Sequence, residues 1–161
     1  METFAKSGLE TLERFRDFGT DVGIWGLFDI SASEVSPGRV SISMTTNPSH
    51  ANHGGILHGG ICALLLDEAM ALAIHTTMPP GFTATTIDLN TSYRRAGSVR
   101  GSTLRIDGEV THRGSRLAMA TGEARDEHGK VLATATMSAL VRDIAAEIEA
   151  RAVKNDGVVG V

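Results

Sequence analysis

Cysteine is nearly missing from this chain. Cys62 is the only one in 161 residues, so no internal disulfide can form and nothing points to secretion. Aromatic residues are scarce at 4%, which leaves the core to aliphatic side chains. A basic excess is also lacking. Fifteen Lys and Arg against nineteen Asp and Glu give a net charge of −4, which argues against nucleic acid as the main partner. A phosphate-bearing ligand would therefore need a local basic patch. The run Ile61 to Leu66 is far too short to span a bilayer. The start, Met1-Glu2-Thr3-Phe4-Ala5-Lys6, does not carry the charged-then-apolar pattern of a signal peptide. A cytoplasmic protein with no membrane partner is the expectation.

What is present is ordinary in amount and telling in order. Hydrophobic residues make up 42% and charged residues 21%, and the length suits one domain spanning residues 1–161, with a core over about 25–142. The chain shows no repeat, low-complexity tract or linker. Phe4, Leu9, Leu12, Phe15 and Phe18 recur at roughly helical spacing and predict a short amphipathic N-terminal helix. The mixed stretch from Leu27 to Val35 is read as a strand, and Ser36-Pro37-Gly38 as a turn. Val40, Ile42 and Met44 alternate with Ser41, Ser43 and Thr45, the pattern of a half-buried strand. Asn47-Pro48-Ser49-His50 closes it, because proline cannot continue a ladder.

From Gly60 to Thr77 the spacing predicts one long helix with no polar face. Such a helix must be buried on most sides. Met78-Pro79-Pro80-Gly81 ends it. The rest reads as strands of period two. Ile87, Leu89 and Thr91 alternate with Asp88 and Asn90, and further strands cover about 99–111, 116–126 and 131–141. Short turns between them predict an antiparallel meander that wraps the helix, an α+β domain. The tail from about Asp143 has a weak helical pattern (Ile144, Ile148, Ala152) and is expected to fray.

The chemistry concentrates in Asn52-His53-Gly54-Gly55-Ile56-Leu57-His58-Gly59-Gly60, which opens the long helix, and in Asp67-Glu68 about two turns further on. A helix mouth free of bulky side chains presents backbone N–H groups to negative charge. A carboxylate in apolar surroundings needs a partner or a task. Polarisation of an acyl carbonyl by backbone amides, with Asp67 as base or nucleophile, would use both. Taken alone, a buried Asp is more often a structural ion pair, and the upstream motif at this spacing reverses that preference. Glu68 lies about 100° around the helix and is expected to face a subunit edge or a basic partner. Gly59 and Gly60 can serve both close packing and amide donation, and His58 is expected to fix the loop or line the cleft.

His50, His53 and His58 lack the fixed helical spacing of zinc pairs, and Cys62 is a poor fourth ligand, so no metal is expected. Cys62 as nucleophile fares no better inside an apolar helix. Asn52 divides evenly between a loop role and a functional one. Arg94, Arg95, Arg113 and Arg116 sit in turns, where arginines are usually just solvated.

The strand, the N-H-G-G-I-L-H-G-G loop, a buried helix with L-L-L-D-E and then more strands resemble the hotdog-fold acyl-CoA thioesterases, in particular the PaaI-like group. The resemblance runs from about Val40 to Val141. Its most specific part is the H-G-G-x6-D spacing from His58 to Asp67, supported by Thr86-Ile87-Asp88-Leu89-Asn90-Thr91-Ser92-Tyr93 and Thr111-His112-Arg113-Gly114. It departs at Tyr93-Arg94-Arg95-Ala96, where many relatives have a proline before the alanine. The resemblance implies hydrolysis of a CoA thioester with no cofactor, in a cleft shared by two subunits of a homodimer or homotetramer. It implies Asp67 as nucleophile or general base and the Gly59 amide as carbonyl donor. It also implies Asn52, His58 and Thr86 as further active-site positions. Gly60, Glu68, Arg95, Arg113 and Arg116 are the residues read as contacting substrate, the arginines because coenzyme A carries phosphates.

Two rival readings stand beside it. Asn47-Pro48-Ser49-His50 resembles the N-P-x-H element of hotdog enoyl-CoA hydratases, although Thr45 stands where their aspartate would be. The other rival is a non-catalytic acyl-CoA sensor using the same cleft, which the acidic residue at position 67 disfavours.

Overall fold

A computed structural model describes residues 6–18 and 23–144. Its centre is helix α3, Gly59–His75, as the apolar run predicts. Cys62, Leu65, Leu66, Ala69, Met70, Ala73 and Ile74 all lie at 5% exposure or less. Burying each of the larger of these aliphatic side chains contributes about 1.5–3 kcal/mol. Six strands curl around the helix: β1 Ser31–Ser36, β2 Arg39–Thr45, β3 Phe82–Tyr93, β4 Thr103–Arg113, β5 Leu117–Arg125 and β6 Val131–Asp143. Val40, Ile42 and Met44 point inward, with Leu104, Ile106 and Gly108 on the next strand, as their alternation requires. At Gly108 an added Cβ would stand 2.3 Å from the Ala69 carbonyl oxygen, so helix backbone and sheet meet where only glycine fits. This is the hotdog fold, one helix held in an antiparallel sheet. No helix among the described residues is long and apolar enough to cross a membrane.

Two short helices precede the sheet, α1 Gly8–Phe18 and α2 Ile24–Phe28. α1 fits the expected amphipathic helix, with Leu12 buried at 1% exposure. The tail positions Ile148 and Ala152 lie outside the described residues.

Three expectations change. The stretch from Leu27 is not a strand at its start: α2 runs to Phe28, and only Ser31 onward pairs, with β2. Asp29, in the left-handed region at φ 50, turns the chain between them. The later strands do not form a simple meander either. The sheet order is β1-β2-β4-β5-β6-β3, so β4, β5 and β6 are consecutive but β3 lies at the far edge, beside β6. The chain crosses between edges through residues 94–102, over the mouth of α3, where the Gly97 carbonyl accepts from the Leu57 N–H at 3.0 Å.

The third change concerns β3 itself. Its period breaks at Ile87, where Thr86 pairs with Ala139 and Asp88 with Ser138, leaving Ile87 as an extra residue at 60% exposure. The bulge inverts the alternation. Thr86 therefore faces the helix together with Leu89 and Thr91, and Ile87 does not share their face.

Candidate active site

His58 caps α3. Its Nδ1 accepts from the Gly60 N–H at 2.9 Å, and its carbonyl accepts from Ile61 N–H at 3.0 Å. Two of the free amides at the helix start are thus consumed locally. Gly59 is the first helical residue, and among the described residues its N–H has no partner. The donor left at the mouth is therefore Gly59 rather than Gly60. A Cβ on Gly59 would stand 3.1 Å from the ring of Tyr93, whose hydroxyl donates to the Gly59 carbonyl at 2.8 Å.

The loop before the mouth is self-contained. Asn52 Oδ1 accepts from Gly54 N–H at 2.8 Å and from Ile56 N–H at 3.4 Å, so its oxygen holds the loop. His50 is buried at 6% exposure, and its Nδ1 accepts from the Asn47 N–H at 3.1 Å. Its ring lies 5.6 Å from that of Phe28, and its carbonyl accepts from the His58 N–H at 2.9 Å. This histidine braces the mouth. His50, His53 and His58 do not converge, and no group of three His, Cys, Asp or Glu among the described residues could hold a metal ion.

Asp67 sits half-buried on the row Gly59, Ala63, Asp67, Ala71, which otherwise carries nothing larger than a methyl group. Thr86 donates its hydroxyl to Asp67 Oδ1 at 3.0 Å, and the same hydroxyl lies 4.0 Å from the Met137 sulfur. The bond fixes one carboxylate oxygen and leaves Oδ2 for other work. The bulge at Ile87 lets Thr86 share the helix-facing side of β3 with Leu89 and Thr91.

Glu68 turns away to a partner that is not basic. It accepts from the Trp25 indole N–H at 2.9 Å, which ties α2 to α3. Burial raises the Glu68 carboxyl above its usual range, the Trp25 bond opposes this, and neighbouring Asp67 adds to it. Burial likewise pushes the Cys62 thiol up, which suits an inert core residue.

The arginines divide between the two ends of the helix. Arg95 follows β3 at the mouth, where its N–H donates to the Leu132 carbonyl at 3.2 Å. Arg113 lies at the far end of α3, its Nε donating to Thr77 Oγ1 at 3.2 Å, and Arg116 follows in the β4–β5 turn. One chain therefore brings Asp67 and Thr86 together, and gathers Gly59, Gly60, His58 and Asn52 at the mouth. It does not bring the two groups into contact: eight residues of helix separate Gly59 from Asp67, about 12 Å at 1.5 Å per residue.

Neither Trp25 nor Tyr93 carries a site role in the sequence pattern, Tyr93 entering only within the strand that bears the resemblance. They are the only tryptophan and the only tyrosine in the chain, and each uses its polar tip on the helix. That rarity was the available signal, since these side chains combine packing with one hydrogen bond.

Comparison with known proteins agrees with this architecture. The family model described as the thioesterase superfamily matches residues 54–133, from the loop glycines to the start of β6. A Halobacterium salinarum protein, provisionally named an esterase, is 34% identical over 105 residues, covering 62% of this chain and 68% of its own. Human acyl-coenzyme A thioesterase 13 is 29% identical over 105 residues, covering 65% of this chain and 74% of its own. Among solved structures, zebrafish thioesterase superfamily member 2 superposes with a TM-score of 0.69 at 29% identity, covering 82% of this chain and 96% of that one.

Proposed function

The chain belongs to the thioesterase superfamily, and from that premise we propose that it hydrolyses an acyl-CoA to the free acid and coenzyme A. The observation that carries the reading is the presence on one helix of a mouth amide with no partner among the described residues, at Gly59, and an oriented carboxylate, at Asp67. The human relative, named an acyl-coenzyme A thioesterase, supports the CoA thioester as substrate class.

The chemistry needs an attacking oxygen and a donor for the oxyanion. Asp67, held by Thr86 through Oδ1, removes a proton from water with Oδ2. The water oxygen attacks the thioester carbon, and the carbonyl electrons move onto an oxygen facing the Gly59 N–H. Collapse breaks the C–S bond, and the proton on Asp67 passes to the departing thiolate.

The two groups must act on one carbonyl, whose oxygen and attacking atom lie within about 3–3.5 Å of their partners. Since about 12 Å of helix separates them in one chain, the active site combines Asp67 of one copy with the Gly59 mouth of a second. β3 supports this pairing. It is an edge strand of 12 residues with Ile87 and Tyr93 exposed, and it runs beside the helix face that carries Asp67. An edge of that length offers a ladder to a second copy. Aryl-acetyl, hydroxybenzoyl, medium-chain and long-chain thioesters are all suitable candidates for the acyl group. The arginines at positions 95, 113 and 116 are the candidates for the coenzyme's phosphates.

Thiol release from a panel of acyl-CoAs, by wild type and Asp67→Asn, tests the reading. Wild type should turn over at least one thioester, and the variant should lose kcat by at least about a hundredfold. Undiminished turnover in Asp67→Asn would refute the mechanism. Tight binding of acyl-CoA without turnover would instead favour a sensor. The hydratase reading gains nothing from His50, which is buried and committed to Asn47 and Phe28.

A further inference from the structure

We infer that Tyr93 is a positioning residue for the oxyanion donor, its phenol acting on the Gly59 backbone rather than on substrate; this rests on the thioesterase reading above. Gly59 has two opposing demands. Its amide must be open to a ligand, so no bulky side chain is tolerated, yet glycine has more backbone freedom than any other residue. It also occupies a helix end, where intrahelical bonding is incomplete and the chain tends to fray.

Tyr93 resolves this from outside the helix. It ends β3, the strand that also delivers Thr86 to Asp67. Its ring lies where a Gly59 Cβ would come within 3.1–3.2 Å, and its hydroxyl donates to the Gly59 carbonyl at 2.8 Å. The bond fixes the orientation of the peptide that follows Gly59, and ring contact limits the motion of the Cα. Both restrict the free N–H on the other side of that Cα. One strand thus braces both groups of its own chain, with Thr86 orienting the carboxylate and Tyr93 the amide, each of which serves a different one of the two shared sites. The strand ladder to β6 holds the two at a fixed spacing, from Thr86 opposite Ala139 to Tyr93 opposite Ala133.

Tyr93→Phe removes the hydroxyl and keeps the ring. With any acyl-CoA that wild type turns over, kcat should fall about tenfold, the effect of one lost hydrogen bond on a preorganised donor. KM should stay within about twofold and the thermal midpoint should move little, because the substitution keeps the ring and the β3–β6 ladder. In parallel, the NMR order parameter of the Gly59 amide should fall while that of Gly122, beneath the helix, stays at its wild-type value. Wild-type kcat in Tyr93→Phe, a raised KM with kcat intact, or an unaltered Gly59 order parameter would each overturn the role. Failure of the parent reading looks different. Wild type itself would release no thiol from any acyl-CoA, removing the reaction and this role with it.

Discussion

The role proposed for Gly59 falls on a backbone atom, not a side chain, and this makes it testable by an unusual substitution. It is the first residue of α3, preceded by His58 at φ −66 and ψ 129. Proline is favoured at the first helical position, and an extended residue before it is the conformation it prefers. Gly59→Pro therefore deletes the N–H while keeping the helix start. The neighbour its ring meets is the far end of the exposed Tyr93 side chain, which can shift. The variant should fold with a wild-type circular dichroism spectrum and lose kcat by about 10²–10³-fold, the usual effect of removing one oxyanion donor. A folded Gly59→Pro with full turnover would assign the donor elsewhere.

A hydrogen bond from the Trp25 indole to the half-buried Glu68 carboxyl ties α2 to α3, and its behaviour with pH follows from burial. The Glu68 pKa is raised above the ordinary 4.5, first by desolvation, with the Trp25 bond opposing and Asp67 reinforcing. The folded state therefore holds this proton more tightly than the unfolded chain. Its contribution to stability is complete below pH 4.5 and is lost as pH rises through the elevated folded value. Glu68→Gln keeps an acceptor for the Trp25 N–H and removes the titration. The thermal midpoint of Glu68→Gln minus that of wild type should thus become more positive between pH 4 and pH 8. A difference that does not vary with pH would show that Glu68 is not strained by its surroundings.

The same elements show what the sequence made legible. α3 was readable from its spacing, because a helix with apolar residues on every face has to be enclosed. The inward faces of β2 and β4 followed from strict alternation at Val40, Ile42 and Met44 and at Leu104 and Ile106. The His58-to-Asp67 spacing marks the helix mouth and the carboxylate on which the proposed site rests. Strand order was not readable, since a period of two fixes which face a residue takes and not which strand lies alongside. The bulge at Ile87 was hidden for a related reason: an extra residue leaves no local mark in T-T-I-D-L-N, yet it decides that Thr86 reaches Asp67. The strand expected from Leu27 overlaps α2 only at Leu27 and Phe28, and the Trp25 contact with Glu68 that fastens α2 lies 43 residues away in sequence.

On the proposed reading, one chain carries half of two active sites. The mouth, with Gly59, and the carboxylate, with Asp67, lie on one helix at a separation of about 12 Å, and β3, an edge strand among the described residues, runs beside both. Two copies related by a twofold axis would form two equivalent sites, each drawing one group from each copy. This arrangement makes complementation possible. Asp67→Asn and Gly59→Pro are each expected to be inactive alone, but a mixed dimer of the two contains one site with both groups intact. Thiol release should therefore be measured after the two variants are unfolded together and refolded at equal concentration. Random pairing predicts recovery of about a quarter of wild-type activity, since half the dimers are mixed and each has one working site of two. If co-refolding produces mixed dimers but no more activity than the separate variants, the shared site is contradicted, and Asp67 and Gly59 do not act on the same carbonyl.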